Sequence, residues 1–405
     1  DRDFLCFDLR PLFVLSPTMS SLLFAVDGKK CEVVNADPTQ TLVDYLRTEG
    51  FTGAKVGCGE GGCGACTVTI AQWTGGAPVY KSVNACLLAL CSCDGLSVTT
   101  ATGLGNIKKG YHPIQEALAE HNGSQCGFCS PGMVMSLFGK LSASKGPNCP
   151  DAKEIESCID GNLCRCTGFR PIISAFQSFA GVPKDTVAGE SFAPFPDFLK
   201  GRSEQDASST RTYTGSGKTW LSPGTLSELQ AVINTNAGQP GKVVAMVCGH
   251  TAKGVYKDEH LVDVFVDVSR VPDLSGIKIS EGGIELGAAT TWGSLIDALG
   301  EADKGNPETS ALPVLREHCQ KVAGHSLRNL GTIGGNLAMT KKKGFQSDLA
   351  TILSGVGATV TVVAADTAVV PLDEFFGEGY VLPPTAVLTK VNVPYLAAGE
   401  VFRSY

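Results

Sequence analysis

Cys58, Cys63 and Cys66 lie within nine residues of one another, and Cys86 follows after nineteen more. Thiolates are soft ligands, suited to zinc, copper(I) and iron–sulfur clusters. Gly57, Gly59, Gly61, Gly62 and Gly64 run before and between the first three. Such a backbone can wrap a compact group and turn N–H groups toward its sulfurs, since glycine reaches positive φ without a Cβ clash. A second set pairs Cys126 with Cys129 and Cys164 with Cys166. Both pairs shortly precede helical patterns opening at Pro131 and Pro171, where proline suits a first turn. Free N–H groups and the positive dipole end at a helix start stabilise thiolates.

The spacing C-x4-C-x2-C followed by a distant cysteine is how plant-type ferredoxins hold a [2Fe–2S] cluster. Structural zinc ligands usually sit two to four residues apart in compact loops, which argues against zinc in the first set. A four-cysteine zinc knot stays open as the alternative for the second. Cys91 and Cys93 compete with Cys86 for the fourth position, and Cys86 fits the spacing. Cys6, Cys31, Cys149, Cys158, Cys248 and Cys319 complete no further ligand set. They read as buried or incidental thiols. The bunching of cysteines without a secretory signal points to a reducing, cytoplasmic compartment.

Two glycine-bearing segments could approach a diphosphate through backbone N–H groups. One is Val243–Lys253, a buried-type strand running into Gly249-His250-Thr251. The other is Leu330–Leu337, reading LGTIGGNL. On pattern alone this is a weak signal, because glycine turns occur in every domain.

Positioning these groups requires several units, and 405 residues suffice for two to four domains. Residues 20–106 read as short strands around one helix. Leu22–Val26 and Cys31–Val34 flank an Asp27-Gly28 hairpin turn, Thr41–Arg47 is a short helix, and Thr67–Ala71 and Leu96–Thr100 are further strands. Residues 107–181 are helical, with Pro113–His121, Pro131–Leu141, Asp151–Cys158 and Pro171–Ala180. Residues 182–212 mix Pro, Gly, Ser and charge without periodicity and read as a linker. Residues 213–405 alternate strands and helices as an α+β domain. They place helices at Leu226–Asn236, Trp292–Leu299, Leu312–Val322 and Asp348–Leu353. Strands fall at Val243–Cys248, Leu261–Val268, Gly283–Leu286 and Ala358–Val363. Residues 1–19 lack a starting Met and a basic n-region before Met19, and read as an extension or disordered leader. The end at Tyr405 shows no helix stop or polar tail and reads as a cut within the last domain.

The net charge is −7, which offers no basic face for nucleic acid. No run of about 18 apolar residues exists to span a membrane as a helix.

The segments VGCGEGGCGACTV, NACLLALCS, QCGFCSPGM, GNLCRCTGFRPI and LGTIGGNL, in this order, resemble the N-terminal half of the molybdenum hydroxylases. That family includes xanthine dehydrogenase and aldehyde oxidase. The resemblance covers nearly all of residues 20–405. It implies a multidomain α+β fold: a β-grasp ferredoxin-like domain, a four-helix [2Fe–2S] domain and a PCMH-type FAD-binding domain. By position, Cys58, Cys63, Cys66 and Cys86 match the ferredoxin-domain cluster, and Cys126, Cys129, Cys164 and Cys166 match the helical-domain cluster. Met246, Val247, Cys248, Gly249, His250, Thr251, Ala252 and Lys253 match the first FAD segment, where Asn commonly stands in place of His250. Thr332, Gly334, Gly335, Asn336, Ser347 and Asp348 match the second segment, and Val322 and Leu388 match flanking flavin contacts. Gln125 and Cys166 match positions that approach the pterin.

The resemblance further implies a relay. Water-derived oxygen enters a C–H bond at a molybdopterin centre, and electrons pass through the helical-domain cluster, then the ferredoxin cluster, to FAD. Oxygen or NAD takes them from the flavin. The molybdenum-binding domain or subunit would be a partner, and the full-length enzyme a homodimer. Met339–Leu353, MTKKKGFQSDLATIL, is more similar to plant-type aldehyde oxidases than to xanthine dehydrogenases. The alternatives are a stand-alone iron–sulfur/flavoprotein subunit docking a separate molybdenum subunit, and a structural zinc-binding interaction protein.

Overall fold

The computed structural model describes residues 20–202 and 209–404. The leader expected over residues 1–19 lies outside them. The first unit is a sheet of β1 (Leu22–Val26), β2 (Lys29–Val33), β3 (Thr67–Thr74), β4 (Ala77–Asn84) and β5 (Ser97–Thr99). Its order is β2-β1-β5-β3-β4, with β1 and β5 parallel. The expected hairpin closes at Asp27 and Gly28, both at positive φ as a two-residue type I′ turn demands. Helix Leu42–Thr48 buries Leu42, Val43 and Leu46 on this sheet, and a Thr41/Asp44 capping box starts it. Strand β4 is absent from the sequence reading, yet Gly75-Gly76 carried its signal. Both residues have positive φ and join β3 to β4 in a two-residue turn.

The four expected helices follow at Pro113–Glu120, Ser130–Ala143, Ala152–Ser157 and Arg170–Gln177. Their apolar faces meet in one core that includes Ile114, Met133, Phe138, Ile155, Ile172 and Phe176. Helix Ser130–Ala143 lies across β3 and β4, with Thr69 Oγ1 donating to the Met135 carbonyl at 3.2 Å.

The stretch read as a linker is docked over its described part. Phe195 and Leu199 are buried against Ala25, Ala71 and Tyr80. Tyr80 donates its hydroxyl to the Ala193 carbonyl at 2.8 Å. Arg202 pairs with Asp94 at 3.3 Å. Isolated anchors without periodicity leave no pattern in the sequence, so the docking was invisible there. The stretch also ends earlier than read, because Arg211 and Thr212 already belong to a strand.

Strands β6 (Arg211–Gly215), β7 (Lys218–Ser222), β8 (Val244–Val247) and β9 (Val264–Asp267) form a sheet of order β6-β7-β9-β8. Helix Leu226–Asn236 packs Leu229 and Ile233 on it. Tyr213, Trp220 and Phe265 join the core of the first sheet, so the two units share one apolar interior. A last sheet contains β10 (Ile277–Ile279), β11 (Gly283–Gly287), β12 (Thr359–Val363), β13 (Thr367–Pro371) and β14 (Val387–Pro394), in the order β10-β11-β14-β12-β13. Helices Trp292–Ala302, Ala311–Lys321, Ile333–Lys343 and Asp348–Gly355 contribute to its core. Helix Ile333–Lys343 was read only as a turn, because its glycines and lysines show no apolar stripe.

Candidate functional site

The eight cysteines singled out by spacing fall into four pairs of neighbouring thiols. These are Cys58 with Cys63, Cys66 with Cys86, Cys126 with Cys166, and Cys129 with Cys164. In each pair one thiol is held below its ordinary range and its partner above it. Burial raises Cys58, but hydrogen bonds from the Glu60 backbone and the Cys63 thiol outweigh it. The bond from Cys86 draws Cys66 down to about 7. The Phe128 N–H and the Cys166 thiol lower Cys126. Burial raises Cys164, and the Thr167 hydroxyl and backbone N–H together with the Cys166 N–H bring it down.

Among the described residues no three His, Cys, Asp or Glu side chains converge as one metal ion requires. A binuclear cluster asks for something else: four thiolates, two for each of two irons. Cys58, Cys63 and Cys66 around the glycine loop with Cys86 after β4 make one set of four, and Cys126, Cys129, Cys164 and Cys166 ahead of the helix starts make the other, which fits that demand. Every cysteine among the described residues is free. Cys91 and Cys93, the competitors of Cys86, are buried in the apolar core. Burial pushes both thiols above the ordinary range.

The loops carrying the two sets touch directly. Leu163 N–H donates to the Cys63 carbonyl at 3.0 Å. Asn162 Nδ2 donates to the Gly64 carbonyl at 3.1 Å, and its Oδ1 accepts from Ser136 at 2.8 Å. At Gly132 a Cβ would stand 2.1 Å from the Gly64 carbonyl, so only glycine lets that helix start approach the loop. Gln125, Cys126 and Cys166 are exposed, and Phe128 and Leu163 are about half-exposed.

The two glycine segments of the last domain also meet. Gly249, at φ +72, lies so close to Leu330 that a Cβ would fall 1.9 Å from its carbonyl oxygen. The Cys248 thiol, pushed up to about 12 by burial, hydrogen-bonds Thr332. Thr332 caps helix Ile333–Lys343 by accepting from Gly335 N–H at 3.2 Å. Asn336 Oδ1 accepts from Ser347 Oγ at 2.5 Å, and Ser347 caps the helix that starts at Asp348. Gly334 N–H donates to the Ala288 carbonyl at 2.8 Å, and Ala288 N–H to the carbonyl of Thr389, next to Leu388, at 2.9 Å. Leu388 itself is buried in the core, with Val322 packed at its edge.

His250 departs from the expected role. Its φ is +60, but its imidazole turns inward to Glu259, 2.6 Å away, and meets Trp220 and Phe265 edge-on. Lys253 pairs with the same carboxylate. Burial raises Glu259, yet His250 and Lys253 hold it below the usual carboxylate range. At this turn the imidazole is thus committed inward, and the backbone of Gly249–Thr251 and the half-buried Thr251 side chain remain. Met246 and Val247 lie in β8, and Thr251, Ala252 and Lys253 lead into a short turn of helix, Lys253–Tyr256. That helix reaches the cysteine loop, because a Cβ on Gly254 would lie 2.6 Å from the Glu60 carbonyl, and Lys257 pairs with Glu60. Sequence reasoning missed Glu60, Glu259, Asn162, Asp160 and Arg328. Glu60 and Asn162 lie inside the segments VGCGEGGCGACTV and GNLC, and Asp160 and Arg328 stand just ahead of GNLC and LGTIGGNL, whereas Glu259 carried no such signal.

Comparison with known proteins agrees with this architecture. The 2Fe-2S iron-sulfur cluster binding domain matches residues 24–91, and the [2Fe-2S] binding domain matches 100–177. The FAD binding domain in molybdopterin dehydrogenase matches 212–396. The chain carries the iron–sulfur and FAD-binding portion of a molybdenum hydroxylase, with sites for two [2Fe–2S] clusters and FAD. Abscisic-aldehyde oxidase of Arabidopsis thaliana is 38% identical over 403 residues, which are 92% of this chain and 30% of that protein. Indole-3-acetaldehyde oxidase of Zea mays is 36% identical over 423 residues, 94% of this chain and 30% of that protein. The chain thus spans under a third of the length of these relatives. A solved structure, the aldehyde oxidoreductase of Desulfovibrio desulfuricans, is 34% identical over 39% of this chain and 17% of that one, with a TM-score of 0.34. No helix among the described residues is long and apolar enough to cross a membrane.

Proposed function

We propose that this chain is the electron-transfer portion of an aldehyde oxidase-type molybdenum hydroxylase, an oxidoreductase. Its three units are a β-grasp domain, a four-helix domain and a PCMH-type domain. Cys58, Cys63, Cys66 and Cys86 would hold one cluster and Cys126, Cys129, Cys164 and Cys166 the other. The backbone of Gly249–Thr251 and the Thr332–Asn336 helix start would hold the FAD diphosphate, with Ser347, Asp348, Val322 and Leu388 around the flavin. When bound, these groups supply one-electron carriers and, in the flavin, a carrier of two electrons.

The single observation supporting the reading is an unbroken series of contacts. The Cys164 loop bonds the Cys63 loop, which abuts Gly254, and Gly254 continues from the segment seated on Leu330. The residues do two things along this series: they keep the carriers adjacent, and they surround them with N–H donors. A molybdenum-binding domain or subunit is the partner, docking over Gln125, Cys126 and Cys166. The full-length enzyme would be a cytoplasmic homodimer.

The test uses the chain reconstituted with iron, sulfide and FAD. Light-driven reduction of the bound flavin with EDTA should lead to reduction of both clusters. In Cys63→Ser, the helical-domain cluster should be reduced far more slowly. Equal rates in the two proteins would refute the series, and zinc in place of iron would refute the cluster assignment.

A further inference from the structure

Arg328 ends the short helix His325–Arg328 and is only 5% exposed. Its Nη1 donates to three carbonyls of one turn, Gln320 at 3.1 Å, Val322 at 3.1 Å and Ala323 at 2.7 Å. Its Nη2 donates to Asp160 Oδ2 at 2.6 Å. The other Asp160 oxygen accepts from His325 N–H at 2.6 Å. Ala323 sits at φ +58, a region a residue with a Cβ seldom enters. Three carbonyl oxygens drawn together repel one another unless a cation sits between them, so the turn and the guanidinium depend on each other. The guanidinium holds the three carbonyls through Nη1 and Asp160 through Nη2 at once, two separated points that a single ammonium nitrogen does not serve together.

The same short helix sets the glycine segment. The Leu327 carbonyl accepts from Leu330 N–H at 3.0 Å and from Gly331 N–H at 2.8 Å. Leu330 is the residue on which Gly249 rests. Asp160 belongs to a different unit, lying between helix Ala152–Ser157 and Cys164. One buried side chain therefore joins the cysteine-bearing helical unit, the Gln320–Ala323 turn and the meeting point of the two glycine segments.

We propose that Arg328 is a positioning residue of the flavin site, and that Asp160 makes its hold depend on the docked helical unit. FAD affinity is thereby coupled to a residue of the cluster-bearing domain. This rests on the reading of the Gly249 and Thr332 segments as the flavin site.

The test titrates FAD into the full chain by fluorescence quenching, with iron content and both EPR signals recorded alongside. Arg328→Lys keeps a cation but loses the fork, and should weaken FAD binding about tenfold while iron content is unchanged. Asp160→Asn, in the other unit, should weaken it about three- to tenfold. The double variant should be no weaker than Arg328→Lys alone, because the two residues act as one unit. A purely stabilising ion pair would instead lower the melting temperature and leave FAD affinity at the wild-type value in Asp160→Asn, and that result overturns the proposal. If Arg328→Lys loses its iron, Asp160→Asn alone decides in the same terms. Failure of the wild-type chain to take up FAD would overturn the flavin reading itself, which the ratio between variants and wild type keeps distinct.

Discussion

Leu163 donates its backbone N–H to the carbonyl of Cys63 across 3.0 Å, joining the residue before one cysteine ligand candidate to another in the opposite loop. This contact crosses from the helical unit to the glycine loop with a single hydrogen bond. Asn162 reinforces it: buried to 4% exposure, it donates to Gly64 and accepts from Ser136. Replacing Asn162 with Ala leaves the Ser136 hydroxyl without its buried partner, a cost of about 1–3 kcal/mol. The expected result is a lower melting temperature and a weaker magnetic interaction between the reduced clusters in EPR. An interaction identical to wild type would show that the loops stay docked without Asn162.

The four cysteine pairs should yield two spectroscopically distinct [2Fe–2S] centres, because hydrogen bonding and exposure set the properties of such clusters. In the first set Cys66 and Cys86 are buried and Cys58 is exposed, whereas in the second Cys164 is buried and Cys126 and Cys166 are exposed. Iron analysis should give about four iron atoms per chain. Cys63→Ser and Cys164→Ser should each remove a different EPR signal. Loss of both signals from one change would point to damage of the shared loop contact rather than loss of one site.

Gly249→Ala tests the seat between the flavin segments. The new methyl group would stand 1.9 Å from the Leu330 carbonyl at a φ that disfavours any Cβ. The expected outcome is loss of FAD with both cluster signals kept, since the clash falls within the last domain. Retention of stoichiometric FAD would mean that the diphosphate lies elsewhere.

His112 gives the chain an acid-sensitive point. It is buried between Phe138 and Phe192, and its Nδ1 caps helix Pro113–Glu120 by accepting from Ile114 N–H at 3.2 Å. Burial lowers its pKa from 6.5 to about 4. The unfolded chain thus binds the extra proton first, so the stability held above about pH 6.5 is lost as pH falls toward 4. Protonation also removes the acceptor on which the cap depends. His112→Asn, an N-cap residue that does not titrate, should flatten the slope of melting temperature between pH 7 and 4.5. An unchanged slope would assign the acid sensitivity to other groups.

Cysteine spacing marked both candidate ligand sets, with glycine content supporting the first and helix starts the second, because each records a local demand: thiolate chemistry, a backbone that can wrap tightly, or free N–H groups. The hairpin at Asp27-Gly28, the three proline-started helices and the Asp151-capped one were legible for the same reason, since turn chemistry and capping act within a few residues. Strand β4 and strands β6 and β7 carried legible turns, Gly75-Gly76 and Ser216-Gly217, that were not taken as hairpins. What no local pattern contains is the pairing of distant partners. The inward turn of His250 onto Glu259, the docking of Phe195 and Leu199, and the bond from Leu163 to Cys63 all depend on packing between units. The convergence of Asp160 and Arg328, 168 positions apart, is of the same kind. Such contacts form only where two surfaces close and exclude water, so tertiary structure alone decided how the carriers' loops meet.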